Sequence, residues 1–429
     1  MYRATVSLLA LAPSSPAVAQ SVEAEGDSGA QGGMPPQSES IIVTGGRVDE
    51  GDVAGSADIV GPEDLREFEY GDVNRVLRQG PGGNFQEEDG FGLFPNIGLR
   101  GTPVERSSNI TLMEDGVLIA PAPYAAPAAY YFPAVGRMAA VEVVKGARAV
   151  AYGPRTIGGA VNFRSTPIPV AGFAGSASGQ YGSRGYYQGH GWVGGETDNV
   201  GALLETFQQG SDGFKTIDGF PNADTGFDRQ DYRGRFAVHS SPDAPTDARL
   251  ELVYGRSELD ANETYLGLVD TDFAADPYRR YAASQRDRFT GEHDQYRITG
   301  SLRLIDDTKI AATLYRNDFA RSWSKLQDID FDGDGRFEAI QPVFDDPDAN
   351  PEALAILRGA DSAAGALRVR NNNRVYRSQG LQVSLEKPFD TGSLRHNLTV
   401  SARIHEDEED RLQNEDFYSQ TAGDLVFVR

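Results

Sequence analysis

From residue 170 onward, apolar and polar side chains alternate along several stretches of the chain. The alternation is clearest at residues 296–304, 381–389 and 394–404, where nearly every second residue is apolar and the residues between are polar or charged. Successive side chains of a strand point to opposite faces, so this period of two predicts β-strands of about ten residues. One face of each strand would be apolar and the other polar.

Two architectures produce such strands: a membrane barrel with lipid outside and water inside, and a soluble β-sandwich. The connections favour the barrel, because short turns alternate with long polar segments. The short turns are at 196–199, 241–243, 306–308 and 388–392, and the long segments at 211–227, 258–292, 321–372 and 406–423. Aromatic residues near strand ends fit the girdle of a membrane barrel, namely Tyr232, Phe236, Tyr254 and Tyr296.

Residues 48–168 have a different, mixed pattern. A helix start at 62–65 and a helical turn at 73–77, which is ended by glycine and proline, precede four short apolar strands. These strands are predicted at 96–100, 110–113, 141–144 and 160–163. The length suits one compact α+β domain.

The strand count limits how the two parts fit together. Residues 170–429 supply about nine strands, and a tenth begins near Leu425. A barrel of that size is filled by its own side chains, whereas about 22 strands can hold a plug. We therefore expect an α+β plug domain inside a transmembrane antiparallel β-barrel of about 22 strands, with the first nine or ten strands present here.

The N-terminus predicts export. Arg3, the apolar stretch 6–12 and the small residues at 17–19 form a signal-peptide pattern over residues 1–19, with a disordered leader as the alternative. Residues 20–38 have the composition of a flexible tether. The apolar island that follows, within residues 39–47, either adds a strand to another protein's sheet or begins the next domain.

Composition excludes several kinds of site. The 429 residues carry a net charge of −23 and include no cysteine. Disulfides, thiolate metal sites and cysteine nucleophiles are therefore excluded. The acidic balance argues against nucleic acid as a partner.

The glycine-rich stretch 145–163 raises the question of a phosphate cradle. It lacks the P-loop spacing and a following helix, and the G-x-G-x-x-G letters at 189–194 fall within a strand. We expect the glycines to let the chain turn sharply against a barrel wall, with Arg148 and Arg155 contacting carboxylates of the barrel.

Several ordered motifs resemble those of the TonB-dependent outer-membrane receptors. Residues 39–47 resemble the TonB box, and 95–101, 114–117, 141–146 and 152–162 resemble successive plug motifs. The box residues that this resemblance indicates are Glu39, Ser40, Ile41, Ile42, Val43, Thr44 and Gly45.

Within that family, the loop 120–127 and the segment 165–169 are most similar to the ferric dicitrate receptors. The loop departs from that branch at Ala125 and Ala126, where a polar glutamine is expected. The tether is too short for the signalling domain that precedes the box in that receptor.

The resemblance implies active uptake of a ferric chelate such as ferric citrate across the bacterial outer membrane. The TonB inner-membrane complex and outer-membrane lipid would be the partners, and no cofactor is implied. The alternative cargo is a sugar, cobalamin or another chelate. An outer-membrane enzyme is the alternative from another class, but the sequence shows no G-x-S-x-G motif and no clustered histidines, so we expect no catalytic residues.

Arginine suits the binding of an anionic chelate because its planar fork holds carboxylates. The candidate ligand-binding residues are Arg106, Asn109, Tyr124, Tyr130, Arg279 and Arg280. For each arginine the alternative is a solvated loop or an ion pair in the lumen, and for each tyrosine it is packing within the plug.

The acidic segment 328–338 resembles a calcium loop when it is counted from Asp328. Acidic residues then occupy positions 1, 3 and 5 and glycine position 6, but Glu338 falls at position 11. An acidic solvated turn is the alternative, and no metal ligands are assigned.

Overall fold

The computed structural model describes residues 5–10, 56–170, 172–263 and 265–429. The expected cleavage site at 17–19, the tether 20–38 and the TonB box lie outside these ranges and stay predictions. A short strand near the N-terminus, β1 (Thr5–Ala10), pairs antiparallel with strand residues 400–405.

Residues 56–168 form the α+β domain that the sequence predicts. In chain order its elements are β2 (Ser56–Val60), α1 (Pro62–Phe68), α2 (Val73–Leu77), β3 (Gly83–Gln86), β4 (Asn96–Leu99), β5 (Ile110–Glu114), β6 (Val117–Leu118), β7 (Met138–Lys145) and β8 (Gly159–Ser165). Five strands pair in the order β2-β7-β8-β5-β6, and β3 pairs with β4. Both predicted helices and all four predicted strands are confirmed.

Local chemistry explains where the two helices begin. Pro62 occupies the first turn of α1, where its missing N–H costs nothing. The Asp72 carboxylate accepts a hydrogen bond of 2.8 Å from the Asn74 N–H and so caps α2. None of the helices in the described ranges is both long and apolar enough to cross a membrane.

Residues 172–429 form the barrel wall and the segments above it. In chain order the elements are β9 (Gly172–Tyr181), β10 (Tyr187–Glu196), β11 (Val200–Ser211), β12 (Thr216–Ile217), β13 (Phe227–His239), β14 (Asp247–Ala261), α3 (Asp270–Ala275), β15 (Arg279–Arg280), β16 (Arg288–Arg303), β17 (Lys309–Ile329), β18 (Glu338–Ala339), α4 (Gln341–Asp345), α5 (Pro351–Arg358), β19 (Leu367–Thr391), β20 (Leu394–Thr421) and β21 (Asp424–Phe427). The long strands pair antiparallel with their neighbours in the order β20-β19-β17-β16-β14-β13-β11-β10-β9. The described residues therefore contain nine long wall strands, as predicted.

Side chains alternate across this wall as the sequence predicts. In β13, the charged residues Arg229, Asp231, Arg233 and Arg235 are buried on the side of the plug. Tyr232 on the same strand points away and is exposed, as are the other predicted girdle residues. The polar face therefore contacts the plug, and the apolar face is the outside of the barrel.

All four long segments that the sequence predicts as loops contain some strand, and the strand is longest in two of them. β17 and β19 continue to residues 329 and 367, and β20 runs through residues 406–421. Beyond the lipid-facing zone the outward side chains are polar, so the hydrophobic period disappears although the strand pairing continues. The prediction of loops at 321–329, 367–372 and 406–421 was wrong for this reason.

The remaining segments above the wall pack into a small hydrophobic cluster of their own. Val269, Tyr281, Val343, Leu354 and Leu357 are buried in it. Asp272 ties its parts together, because its carboxylate accepts hydrogen bonds from the Tyr281 hydroxyl and the Arg358 guanidinium. We call this cluster the cap.

Candidate functional site

A cavity of about 320 Å³ lies between the top of the plug and the upper ends of the wall strands. We call it the apex cavity. Its lining from the plug is Gln86, Glu88, Asn96, Glu105, Arg106 and Tyr130, and its lining from the barrel is Tyr265, Trp323, Lys325 and Asn372. Its size is at the lower end of the range for small-molecule sites.

On the plug side, short polar contacts hold Arg106 in place. Its backbone has a positive φ of 48°, and its N–H donates to the Asn96 side-chain oxygen over 2.8 Å. The Asn96 amide nitrogen in turn donates to Glu88, and the Arg106 guanidinium lies 2.9 Å from the same carboxylate. Asn96 therefore holds the backbone of Arg106, and Glu88 holds its guanidinium.

On the barrel side, the period of two in β17 brings Arg321, Trp323 and Lys325 to the same face. The Arg321 guanidinium lies 3.9 Å from the centre of the Tyr130 ring. The Lys325 ammonium lies 3.5 Å from the centre of the Tyr265 ring. Cations over aromatic faces keep their charge available to a ligand while the rings hold them in place.

Several hydrogen-bond donors at this wall have no acceptor among the described residues. They are Nε and Nη2 of Arg321 and Nε1 of Trp323. Both side chains are more than nine-tenths buried, at 3 % and 7 % exposure. A buried donor without an acceptor costs free energy, so the wall favours a ligand that brings acceptor oxygens.

Below the cavity, a two-residue turn of the plug meets the charged face of the barrel. Asp115 and Gly116 join β5 to β6, and their positive φ values of 49° and 78° are those of a type I′ turn. The Asp115 carboxylate lies 2.7 Å from Arg235 and 3.0 Å from Arg297. The neighbouring Glu114 carboxylate lies 2.5 Å from Arg233.

This group of charges, which we call the ionic contact, also includes Arg137 of the plug. Its guanidinium bridges Glu114 at 2.7 Å and Asp231 of the barrel at 3.1 Å. Burial alone would raise the pKa of Asp115, but attraction to Arg235 and Arg297 outweighs burial and holds the pKa well below its usual range. The carboxylate is therefore ionised at any physiological pH.

Polar side chains of β17, β19 and β20 hold the plug on its other side. Asn317 donates to the Leu118 carbonyl over 3.0 Å, and Arg403 donates to the Tyr152 carbonyl over 2.7 Å. Gly153 follows Tyr152 and has a φ of 134°. A side chain at position 153 would collide with the Arg403 guanidinium. The glycine-rich stretch does lie against the barrel wall, as expected.

Residues 49–160 match the family model described as TonB-dependent Receptor Plug Domain. Residues 49–160 are therefore a plug domain of the kind found in TonB-dependent receptors.

Solved structures share the fold of this chain over both of its parts. The unliganded ferric citrate transporter FecA is 22% identical, with a TM-score of 0.61 over 88% of this chain and 51% of that one. The ferric yersiniabactin uptake receptor FyuA from Yersinia pestis is 14% identical, with a TM-score of 0.57 over 87% and 59% of the two chains. The pyoverdine outer membrane receptor FpvA from Pseudomonas aeruginosa PAO1 is 14% identical, with a TM-score of 0.59 over 84% and 47%. The chain spans about half the length of these structures.

Two of the predicted ligand-binding residues meet in the apex cavity. Arg106 and Tyr130 both line it. Tyr124 lies elsewhere, with its ring against the His405 ring of β20. Asn109 donates to the Pro103 carbonyl at the plug surface.

The two predicted arginines of the long segment lie near the cap. Arg279 pairs with Asp218 and Asp272, each at 2.9 Å. The Arg280 guanidinium donates to the Pro277 carbonyl over 3.2 Å. The structure does not bring either residue to the apex cavity.

The sequence predicted that Arg148 and Arg155 contact carboxylates of the barrel. Neither residue takes part in the ion pairs described above. Arg148 interacts with Tyr152 of the plug itself, and Arg155 is exposed. The arginines of the ionic contact lie mainly on β13 and β16. The period of two in these strands predicts that the arginines point inward. No sequence pattern shows which plug residues they contact.

The acidic tip between β17 and β18 differs in register from the calcium loop that the sequence suggests. The carboxylates of Asp330, Asp332 and Asp334 have oxygens within 4.8 Å of one another. Asp328 is bound by Arg368 instead. Counted from Asp330, Glu338 falls at position 9, and both a cation site and a solvated acidic turn fit this geometry.

Proposed function

We propose that the receptor takes up a ferric chelate across the bacterial outer membrane and binds it in the apex cavity. The observation that carries this proposal is that buried donors of Arg321 and Trp323 on β17, on the same strand face as the cavity-lining Lys325, have no acceptor among the described residues. An anionic chelate supplies the acceptor oxygens that these donors lack.

The charge of the chain makes such a local site necessary. With a net charge of −23, the receptor repels an anion at a distance. Arg106 and Lys325 provide positive charge where the ligand would be enclosed, and there the lower dielectric strengthens the attraction. The similar solved structures include a ferric citrate transporter and a ferric yersiniabactin uptake receptor. We propose ferric citrate as the first cargo to test.

Energised transport requires parts that lie outside the described residues. We propose that residues 39–45 are a TonB box that pairs with the TonB inner-membrane complex, and that residues 20–38 tether it. Residues 1–19 would direct export, and the outer face of the barrel would contact outer-membrane lipid. Arg279 and Arg280 stay candidates for a first contact with the ligand near the cap.

A change on β17 tests the cavity. We expect Lys325→Gln to weaken ferric citrate binding at least about tenfold, because one charged contact is lost in an enclosed site. Arg316→Gln is the matched control, since Arg316 lies on the same strand but points outward and pairs with Asp318. Equilibrium binding of ferric citrate to the purified receptor measures both, and equal affinities for the two variants would contradict the proposal.

A further inference from the structure

A chain of hydrogen bonds joins the barrel wall to the plug loop 120–127. Asp407 of β20 accepts hydrogen bonds from the Tyr124 N–H over 2.7 Å and from the Ala125 N–H over 3.2 Å. Its other oxygen is bonded to Nε2 of His405, and Nδ1 of His405 lies 2.6 Å from the Tyr315 hydroxyl. The chain of contacts therefore runs from β17 across β19 to β20 and ends at the plug.

The barrel side of this chain is rigid and buried. The His405 and Asp407 side chains are each 3 % exposed, and Tyr315 is also buried. Because both ring nitrogens of His405 have partners, the ring orientation is set. The Asp407 carboxylate is therefore held in place before the plug loop contacts it.

A glycine in the middle strand makes this arrangement possible. Gly380 of β19 lies in register between Tyr315 on one side and His405 on the other. A Cβ at position 380 would come within 2.6 Å of the Tyr315 hydroxyl oxygen. The missing side chain allows Tyr315 to reach across β19 to His405.

The plug side has few bonds of its own. The loop contains Pro121, Pro123 and Pro127, which have no N–H, and the Ala126 N–H bonds within the loop to Ala122. The Tyr124 and Ala125 N–H groups at the tip depend on Asp407. The Tyr124 ring lies tilted against the His405 ring, with ring centres 5.1 Å apart, and Tyr124 is still 40 % exposed.

We propose that Asp407, oriented by His405 and Tyr315, is a positioning residue that docks the plug loop 120–127 on the barrel wall and so fixes the position of Tyr124, a candidate ligand contact outside the apex cavity. The hydrogen bonds alone support the docking of the loop. The part that concerns ligand rests on the proposed function. A charged acceptor for two backbone donors holds a loop more firmly than a neutral one would.

Hydrogen exchange in the purified, full receptor tests the docking. In Asp407→Asn we expect exchange of the Tyr124 and Ala125 amides to become about tenfold faster, the scale of one charged hydrogen bond. Tyr315→Phe should give a smaller change in the same direction. Glu408→Gln is the control, since Glu408 is the next residue but points outward to Arg377. If Asp407→Asn is folded and the exchange of residues 120–127 equals that of the control, the proposal is overturned.

Ferric citrate uptake by whole cells separates positioning from mere stability. We expect the ligand concentration at half-maximal uptake to rise about threefold to tenfold in Asp407→Asn, while uptake at saturation is unchanged. Faster exchange with unchanged half-saturation would overturn the positioning of Tyr124. If the unmodified receptor does not bind ferric citrate, the proposed cargo is wrong, and the exchange result still decides the docking.

Discussion

Asp115 combines turn geometry with a charged contact in one residue. Its positive φ suits a short polar side chain, since Asp and Asn tolerate the left-handed region better than most residues. The same turn points its carboxylate at Arg235 and Arg297, and the Ser165 hydroxyl donates to it over 2.6 Å. At this position the local backbone and the plug–barrel contact require the same residue type.

Replacing this carboxylate should weaken the ionic contact strongly. We expect Asp115→Asn to lower the free energy of unfolding of the plug by about 3–5 kcal/mol, because buried arginines lose their counter-charge while the turn is kept. Urea unfolding of the detergent-solubilised receptor measures it. Asp294→Asn, which breaks an exterior pair with Arg256, is the control and should cost about 1 kcal/mol or less. Equal losses of unfolding free energy in the two variants would show that the buried charges do not hold the plug.

At the scale of elements, single strands connect the outside of the barrel to the site. β17 carries Arg316 on its outer face and Trp323 and Lys325 on its inner face. The segments above the strands reach the plug in a similar way. Phe214 packs against Phe91 of the plug with ring centres 5.4 Å apart, and the adjacent Lys215 pairs with Glu263.

The buried Lys215–Glu263 pair predicts a pH dependence of these segments. Burial raises the pKa of Glu263 to about 7, although attraction to Lys215 lowers it. Because the folded pKa lies above the ordinary value for glutamate, the resulting stability is present at low pH and is lost as the pH rises through about 7. Amide exchange in residues 213–216, corrected for intrinsic rates, should therefore increase by up to about tenfold between about pH 5 and pH 8.

Glu263→Gln should flatten this profile, because the titrating group is removed. The exposed Glu258 offers a control, and Glu258→Gln should keep the pH dependence. A profile that persists unchanged in Glu263→Gln would assign the effect to another group.

At the scale of the whole molecule, the plug is held by two unlike contacts. Buried ion pairs join it to β13 and β16, and hydrogen bonds to its backbone come from Asn317 of β17, Gln382 of β19 and Arg403 of β20. The proposed transport would require that pulling on the N-terminal segment loosens some of these contacts. The backbone hydrogen bonds cost less to break than the buried ion pairs.

Deleting residues 39–46 tests energy coupling in the whole receptor. We expect ferric citrate uptake to fall to the level of cells without the receptor, while ferric citrate binding stays within about twofold of normal, since the apex cavity is unchanged. Uptake and binding are measured in parallel on the same cells. Continued uptake would contradict coupling through this segment.

Features that depend on residues close together in the chain were predicted from the sequence, and contacts between distant residues were not. The strands in residues 172–404 were predictable because alternation is a local signal, and α2 was predictable because glycine and proline follow it closely in the chain. The upper parts of β17, β19 and β20 were not, because charged residues replace the apolar ones there. Arg106 and Tyr130 were found as candidates, but Trp323 and Lys325 were not, since strand position alone does not show which side chains reach the plug.

By itself, the sequence determined the two-part architecture, because turn signals and hydrophobic periods act between residues close together in the chain. Only the tertiary structure decided which inward side chains meet the plug. Arg233 and Arg297 are 119 and 182 positions away from their plug partners Glu114 and Asp115. Such pairs depend on strand register and on the placement of the plug, and no local pattern encodes either.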